Sequence, residues 1–260
     1  MPINLIWNEN FEAKDYQRRY QISFSFDDNL KQKLGLNTAI LSHPYIKGAI
    51  PTKAIITAYP DNKTIIDVHG DLRDTTIDYG FLGFEKKAKT NGEIIAQINL
   101  EGSQIISIPQ FSLSKPDFKL NGDVSFDKNG SIGVIDIKSI KGPKTNAKAK
   151  IDFTNQKTDA IKIIVSGSTY DLSDFFARDE DDIEENRKRR EMLKEKGDKV
   201  NDDENIWEDV PSTNINIAVD KLWTNDKVSI RNFAGSAKII NKTGVEEMHL
   251  VGRFSINRVW

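Results

Sequence analysis

The chain has 260 residues, with 37 Lys+Arg against 39 Asp+Glu, a formal net charge of −2, 38% apolar residues and no cysteine. Without sulfur there is no disulfide scaffold, thiolate zinc site, iron–sulfur cluster or thiol nucleophile, and a near-neutral balance supplies no clustered basic field for nucleic acid. Apolar runs such as Ala54 to Tyr59 and Ile161 to Val165 fall far short of the roughly 20 residues that a membrane-spanning helix needs.

The start carries Trp7 and then turns polar, so it offers no apolar core of a secretory leader; a role outside the cytoplasm would make this chain a piece of a longer one. Helical signals are few. Residues between Glu9 and Arg19 are expected to hold a short helix, and Asp28 to cap another over Asn29 to Leu34 that stops at Gly35. From there on the dominant period is two, the pattern of strands with one buried face. Ile94, Ala96, Ile98 and Leu100 alternate with Ile95, Gln97, Asn99 and Glu101. Phe118, Leu120, Val124 and Phe126 alternate with Lys119, Asn121, Asp123 and Ser125, and Ala147, Ala149, Ile151 and Phe153 with Lys148, Lys150 and Asp152. Ile161, Ile163 and Val165 continue the rhythm, as do Ile215, Ile217 and Val219. The connections are polar turn clusters such as Pro60-Asp61-Asn62, Asp127-Lys128-Asn129-Gly130 and Lys141-Gly142-Pro143. Their shortness implies antiparallel hairpins.

An apolar-x-Gly step recurs as Val68-His69-Gly70, Leu120-Asn121-Gly122, Val165-Ser166-Gly167 and Leu250-Val251-Gly252. The spacing suggests a unit of about fifty residues added again and again. One stretch breaks the rhythm: Arg178 to Asn205 holds 8 basic and 12 acidic residues among 28. Glu184/Lys188, Glu185/Arg189 and Glu195/Lys199 stand four apart in the order that supports a helix. Its four scattered apolar residues make no stripe that could dock on a core, so it reads as a solvated helix or a disordered insertion. The expected fold is therefore all-β, an extended antiparallel meander forming a curved, groove-like sheet. Its divisions are 1–177 with a short helical entry, a charged helical or disordered insertion at 178–209, and a continuation at 210–260.

Catalytic signals are weak. His43, His69 and His249 lie far apart and outside any recognised motif. Asp67, His69 and Asp71 share one strand face and would suit a metal, but Val68 and Leu72 mark the opposite face as the buried one, so the three read as a solvated face. Asp74, Asp78, Asp171 and Asp174 suit turns as well as acid–base work. Lys86, Lys87 and Lys89 beside Phe84 read as a solvated hairpin end, with contact to lipid phosphate or RNA as the functional alternative. No cofactor and no catalytic residue is expected, and a β-rich hydrolase is the weakest reading. An apolar sheet face must be covered by a second sheet, by the sheet's own curl or by an external apolar ligand.

Three blocks resemble a known family. They are Trp7-Asn8-Glu9-Asn10-Phe11 with Arg19-Tyr20 and Leu34-Gly35-Leu36; GDLRDTTIDYGFLGFEKKAKTNGE from Gly70 to Glu93; and SGSTYDLSDFF from Ser166 to Phe176. They are similar to the central region of AsmA-like envelope proteins of the YhdP type from alphaproteobacteria. Tyr79-Gly80 stands where that family usually has Pro, and Phe84 where it usually has Trp. The resemblance implies a long repeating β-groove on the periplasmic side, tethered to the inner membrane by a segment that this chain lacks, conducting phospholipid toward the outer membrane. Acyl chains would lie on the apolar face, where burial is favourable by about 25 cal/mol per Å². On this reading Ile94, Ile98, Leu100, Phe118, Leu120, Val124, Phe126, Ile151, Phe153, Ile163 and Val165 line the groove. The partners are phospholipid and the remaining parts of a longer or split protein, with no nucleic acid. The alternative is a non-catalytic structural or protein-binding β module whose apolar face is internal.

Overall fold

A computed structural model describes residues 4–9, 15–33, 46–79, 84–154, 160–173, 212–225, 227–240 and 244–256. The charged insertion expected at 178–209 lies outside the described residues. The protein is all-β, and the described residues fall into two compact units.

The first unit takes its described residues from Met1–Tyr79, Phe84–Pro143 and Lys148–Thr154. Its main sheet is built from β1 (Asn4–Glu9), β2 (Arg18–Phe26), β4 (Ile50–Ala58), β5 (Lys63–Asp71), β8 (Glu93–Glu101), β9 (Gln104–Lys115), β10 (Phe118–Phe126), β11 (Ile132–Lys141) and most of β12 (Asn146–Asp152), hydrogen-bonded in that order. The pairs with a described register, from β1 through β11, are antiparallel. The chain leaves this meander twice to build a second, three-stranded sheet from β3 (Ile46–Lys47), β6 (Thr76–Tyr79) and β7 (Phe84–Lys86). The sequence rhythm gave no hint of this small sheet, because strands of two to four residues are too short to display a period.

The entry differs from expectation. Glu9 closes β1 and Arg18 opens β2, the two paired directly, so a strand runs into the stretch expected to be helical. Alternation of Tyr20, Ile22, Phe24 and Phe26 against polar residues outweighs any local helical preference. The short helix α1 does form, over Asp28–Lys33, but its cap is Asp27, whose Oδ1 accepts the Leu30 N–H at 2.9 Å. Asp28 pairs instead with the buried Lys31 Nζ at 2.8 Å.

Gly122 shows what the recurring glycine does. β10 slips register against β11 between Asn121 and Gly122, and a Cβ at Gly122 would collide with the Asp136 carbonyl. The bulge lets two backbones approach more closely than any side chain allows and bends the strand locally.

The second unit takes its described residues from Lys144–Ala147, which contribute the start of β12, and from Asn155–Trp260. β13 (Ile161–Asp171), β14 (Thr213–Trp223), β15 (Val228–Ile240) and β16 (Gly244–Ile256) follow in order. Here the meander is interrupted: β13 and β14 are parallel, Ile161 facing Thr213 and Asp171 facing Trp223. A parallel pair needs a connection that carries the chain back along the whole strand, which no tight turn can do. Asp171 and Thr213 bound that connection, so the strand order here is not a simple meander.

Candidate functional site

Residues directly opposite each other on neighbouring strands share a face, and the registers sort the first unit's apolar residues into rows. One row runs Phe24–Thr52–Gly70–Ile94–Leu113–Leu120–Ile140 across seven strands. Another, on the same face and farther along β2, β4, β5 and β8, runs Tyr20–Ile56–Ile66–Ile98. Leu100 faces Ile105, Val124 faces both Ile108 and Ile135, and Phe126 faces Ile132.

The rows differ in cover. At the first, Thr52, Leu113, Leu120 and Ile140 are buried, and the small sheet buries Ile46, Ile77 and Phe84 at the same end. The Phe84 ring meets Phe118 edge-on with centroids 5.0 Å apart. Tyr20, Ile56, Ile66 and Ile98 are only half-buried throughout, as are Leu100, Val124, Phe126 and Ile132. The face is therefore closed at one end and open to solvent or a ligand toward the other. Of the residues expected to line a groove, Phe118 at 4% exposure and Leu120 at 3% belong to the closed end, with half-buried Ile94 in the same row as Leu120. Ile98, Leu100, Val124, Phe126 and Ile151 are half-buried, and Phe153 is exposed. In the second unit Ile163 faces Ile215 and is half-buried, whereas Val165 faces Ile217 and is buried.

Tyr20, Ile56 and Ile66 belong to the open face but did not stand out in the sequence. Ile55-Ile56 and Ile65-Ile66 put an isoleucine on both faces, which blurs the period. Only pairing separates them: Ile55 lies opposite Asp67, whereas Ile56 lies opposite Ile66.

The other face is mixed, with Ile55 and Ile95 exposed among polar side chains that pair with one another. Gln97 Nε2 donates to Asp67 Oδ1 at 3.0 Å, and His69 Nε2 lies 3.2 Å from Glu93 Oε2 on the rim of a depression of about 510 Å³ that Arg73 and Lys115 also line. Among the described residues no three His, Asp or Glu side chains converge on a point where a metal could sit. Nor is any described helix long and apolar enough to cross a membrane.

The lysine cluster at 86–89 needs correction. Lys86 and Phe84 are buried, so neither belongs to a solvated hairpin end or to a surface for phosphate. Lys86 Nζ donates to the carbonyls of Thr75 at 2.8 Å, Lys87 at 3.2 Å and Arg73 at 3.4 Å. It ties β7 to the loop before β6, and burial pushes its pKa below the ordinary lysine value while Asp71 and Asp74 work against that shift. Lys89 is exposed and pairs with Asp74 at 2.7 Å, which holds that carboxyl below its usual range.

The fold and its site thus define an all-β protein that presents an apolar sheet face closed at one end. No protein-family model, curated protein or solved structure matches the chain.

Proposed function

We propose that this chain is a segment of an AsmA-like, YhdP-type cell-envelope protein that binds and conducts phospholipid acyl chains along its apolar sheet face, on the periplasmic side. The observation that carries the reading is the half-buried row Tyr20–Ile56–Ile66–Ile98, continued by Leu100, Val124 and Phe126. A folded domain gains by removing such a row from water, and a hydrocarbon chain laid along it would supply the missing cover. The open row itself is aliphatic and aromatic, with Thr64 and Arg18 following at its outer edge. The reading needs no chemistry from the polar residues of the opposite face.

The test is a photoreactive amino acid placed at Ile98 or Phe126 in cells, followed by mass spectrometry of what it captures. Phospholipid adducts at these two positions, and none at the closed-end residue Leu120, are expected. Capture of protein alone would favour the other reading, a structural or protein-binding module. That alternative draws on the exposed apolar residues Met248, Leu250 and Val251 of β16, the last strand in the sheet order.

A further inference from the structure

One end of the second unit carries a charge pattern that the fold does not explain. Lys221 on β14 lies directly opposite Arg231 on β15, and Arg231 lies directly opposite Arg253 on β16. Three cations thus stand side by side across three adjacent strands, an arrangement that repels. Among the described residues none of the three forms an ion pair. Lys221 Nζ rests 3.8 Å from the centroid of the Trp223 ring, which Lys144 also approaches at 4.9 Å. The nearest acid by register, Asp171 opposite Trp223, is already engaged by the Ser173 N–H at 3.0 Å and hydroxyl at 2.6 Å. Asp220, next to Lys221, is exposed and forms no ion pair with any of the three among the described residues.

The same strands pair charge correctly elsewhere. At the far end of β15, Lys238 lies opposite Glu247 and its ammonium bonds Glu246. The cation row also depends on a bulge. The register that sets Ala234 against Val251 would, if continued, place Phe254 opposite Arg231; a slip between Arg231 and Ala234 brings Arg253 there instead. The slip uses Asn232 in the left-handed region, at φ 49°, and Gly252, where a Cβ would come within 2.5 Å of Ile230 Cγ2. A locally strained device therefore aligns two arginines that would otherwise be out of step.

We propose that Lys221, Arg231 and Arg253 form an anion site for the phosphate of a phospholipid headgroup, with the Trp223 ring beside it against Lys221. Guanidinium groups hold phosphate oxygens through paired N–H donors, and a bound anion turns the repulsive row into a favourable one. The phosphate chemistry follows from the cations themselves; that its source is a lipid rests on the function proposed above.

The test is flotation of the full chain with phosphatidylcholine vesicles, with or without phosphatidylglycerol, at low and high salt. The wild type is expected to bind the anionic vesicles in a salt-sensitive way, and K221Q/R231Q/R253Q to bind roughly tenfold or more weakly, as expected for removing three basic residues at an anionic surface. The thermal midpoint of that variant at low salt should be equal or higher, because the repulsion is relieved; R253Q alone, on the outermost strand, gives the same reading if the triple variant misfolds. Equal binding of wild type and variants to anionic vesicles overturns the site. Displacement by inorganic phosphate at concentrations comparable to the lipid's overturns the headgroup assignment in favour of free phosphate. Lipid capture at Ile98 and Phe126 separates the two proposals: if capture persists in the triple variant while vesicle binding is unchanged from wild type, the cation site fails alone, and if capture never occurs, the lipid reading itself fails.

Discussion

Phe118 and Phe126 leave the same strand on the same side, yet one is buried beneath Phe84 and the other is half-exposed beyond the reach of the small sheet. Identical residue type, strand and parity end in different environments. Alternation assigns a side chain to a face, but whether that face is core or binding surface depends on what a separate piece of chain lays over it. The closed end is where this unit stores packing energy; the open end keeps its apolar surface half-exposed.

The sharpest way to break the contrast is to remove the cover. Phe84→Ala should destabilise the unit by about 3–5 kcal/mol in urea unfolding, the cost of deleting a fully buried aromatic. Phe126→Ala should cost only about 1 kcal/mol, because half-burial realises part of the roughly 1.5–3 kcal/mol transfer gain of such a side chain. Equal losses would mean that the open end is as much a core as the closed one.

Lys86 sharpens the comparison from the polar side. Lys86→Met removes a donor from the buried Thr75 carbonyl, while the Arg73 and Lys87 carbonyls keep the Lys89 and Thr90 N–H groups, and should cost about 1–3 kcal/mol. The pH dependence has a definite sign. Because burial lowers the lysine's pKa, the folded protein holds this proton less tightly than the unfolded chain does. Wild-type stability should therefore gain an increment as pH rises from the lowered value toward the ordinary 10.5. Urea unfolding at several alkaline pH values should show that increment in the wild type and not in the methionine variant.

The smallest expected effect on stability, and the largest on ligand capture, belongs to the open row. Ile98→Asn should leave the unfolding free energy in urea within about 1.5 kcal/mol of wild type while reducing lipid adducts at a photoreactive Phe126 position. A full-sized loss of stability with unchanged capture would assign Ile98 to a closed core.

The lysines and the glycines show where sequence reasoning reaches its limit. Lys86, Lys87 and Lys89 look alike as a basic run, yet Lys86 is buried among carbonyls while Lys89 pairs with Asp74 at the surface. Nothing in a run of like residues reveals which member a distant loop will enclose. The glycine steps at 122 and 252 were legible as strand punctuation, but their association with bulges, and the alignment of Arg231 with Arg253 that one of them permits, exists only in the paired sheet. Short connections correctly pointed to antiparallel pairing within the first unit, and said nothing about the return path between β13 and β14, because direction after a long insertion is a matter of topology.

The sequence by itself determined that this is a β protein and which side of most strands is apolar, since period-two alternation leaves a strand only one way to bury its greasy residues. The tertiary structure alone decided the strand partners, the parallel crossover, the small sheet that closes one end of the apolar face and the opposition of three cations at one end of the second unit. Each of these depends on residues far apart in the chain meeting in a particular register, and a one-residue slip, invisible in composition or pattern, changes which side chains stand together.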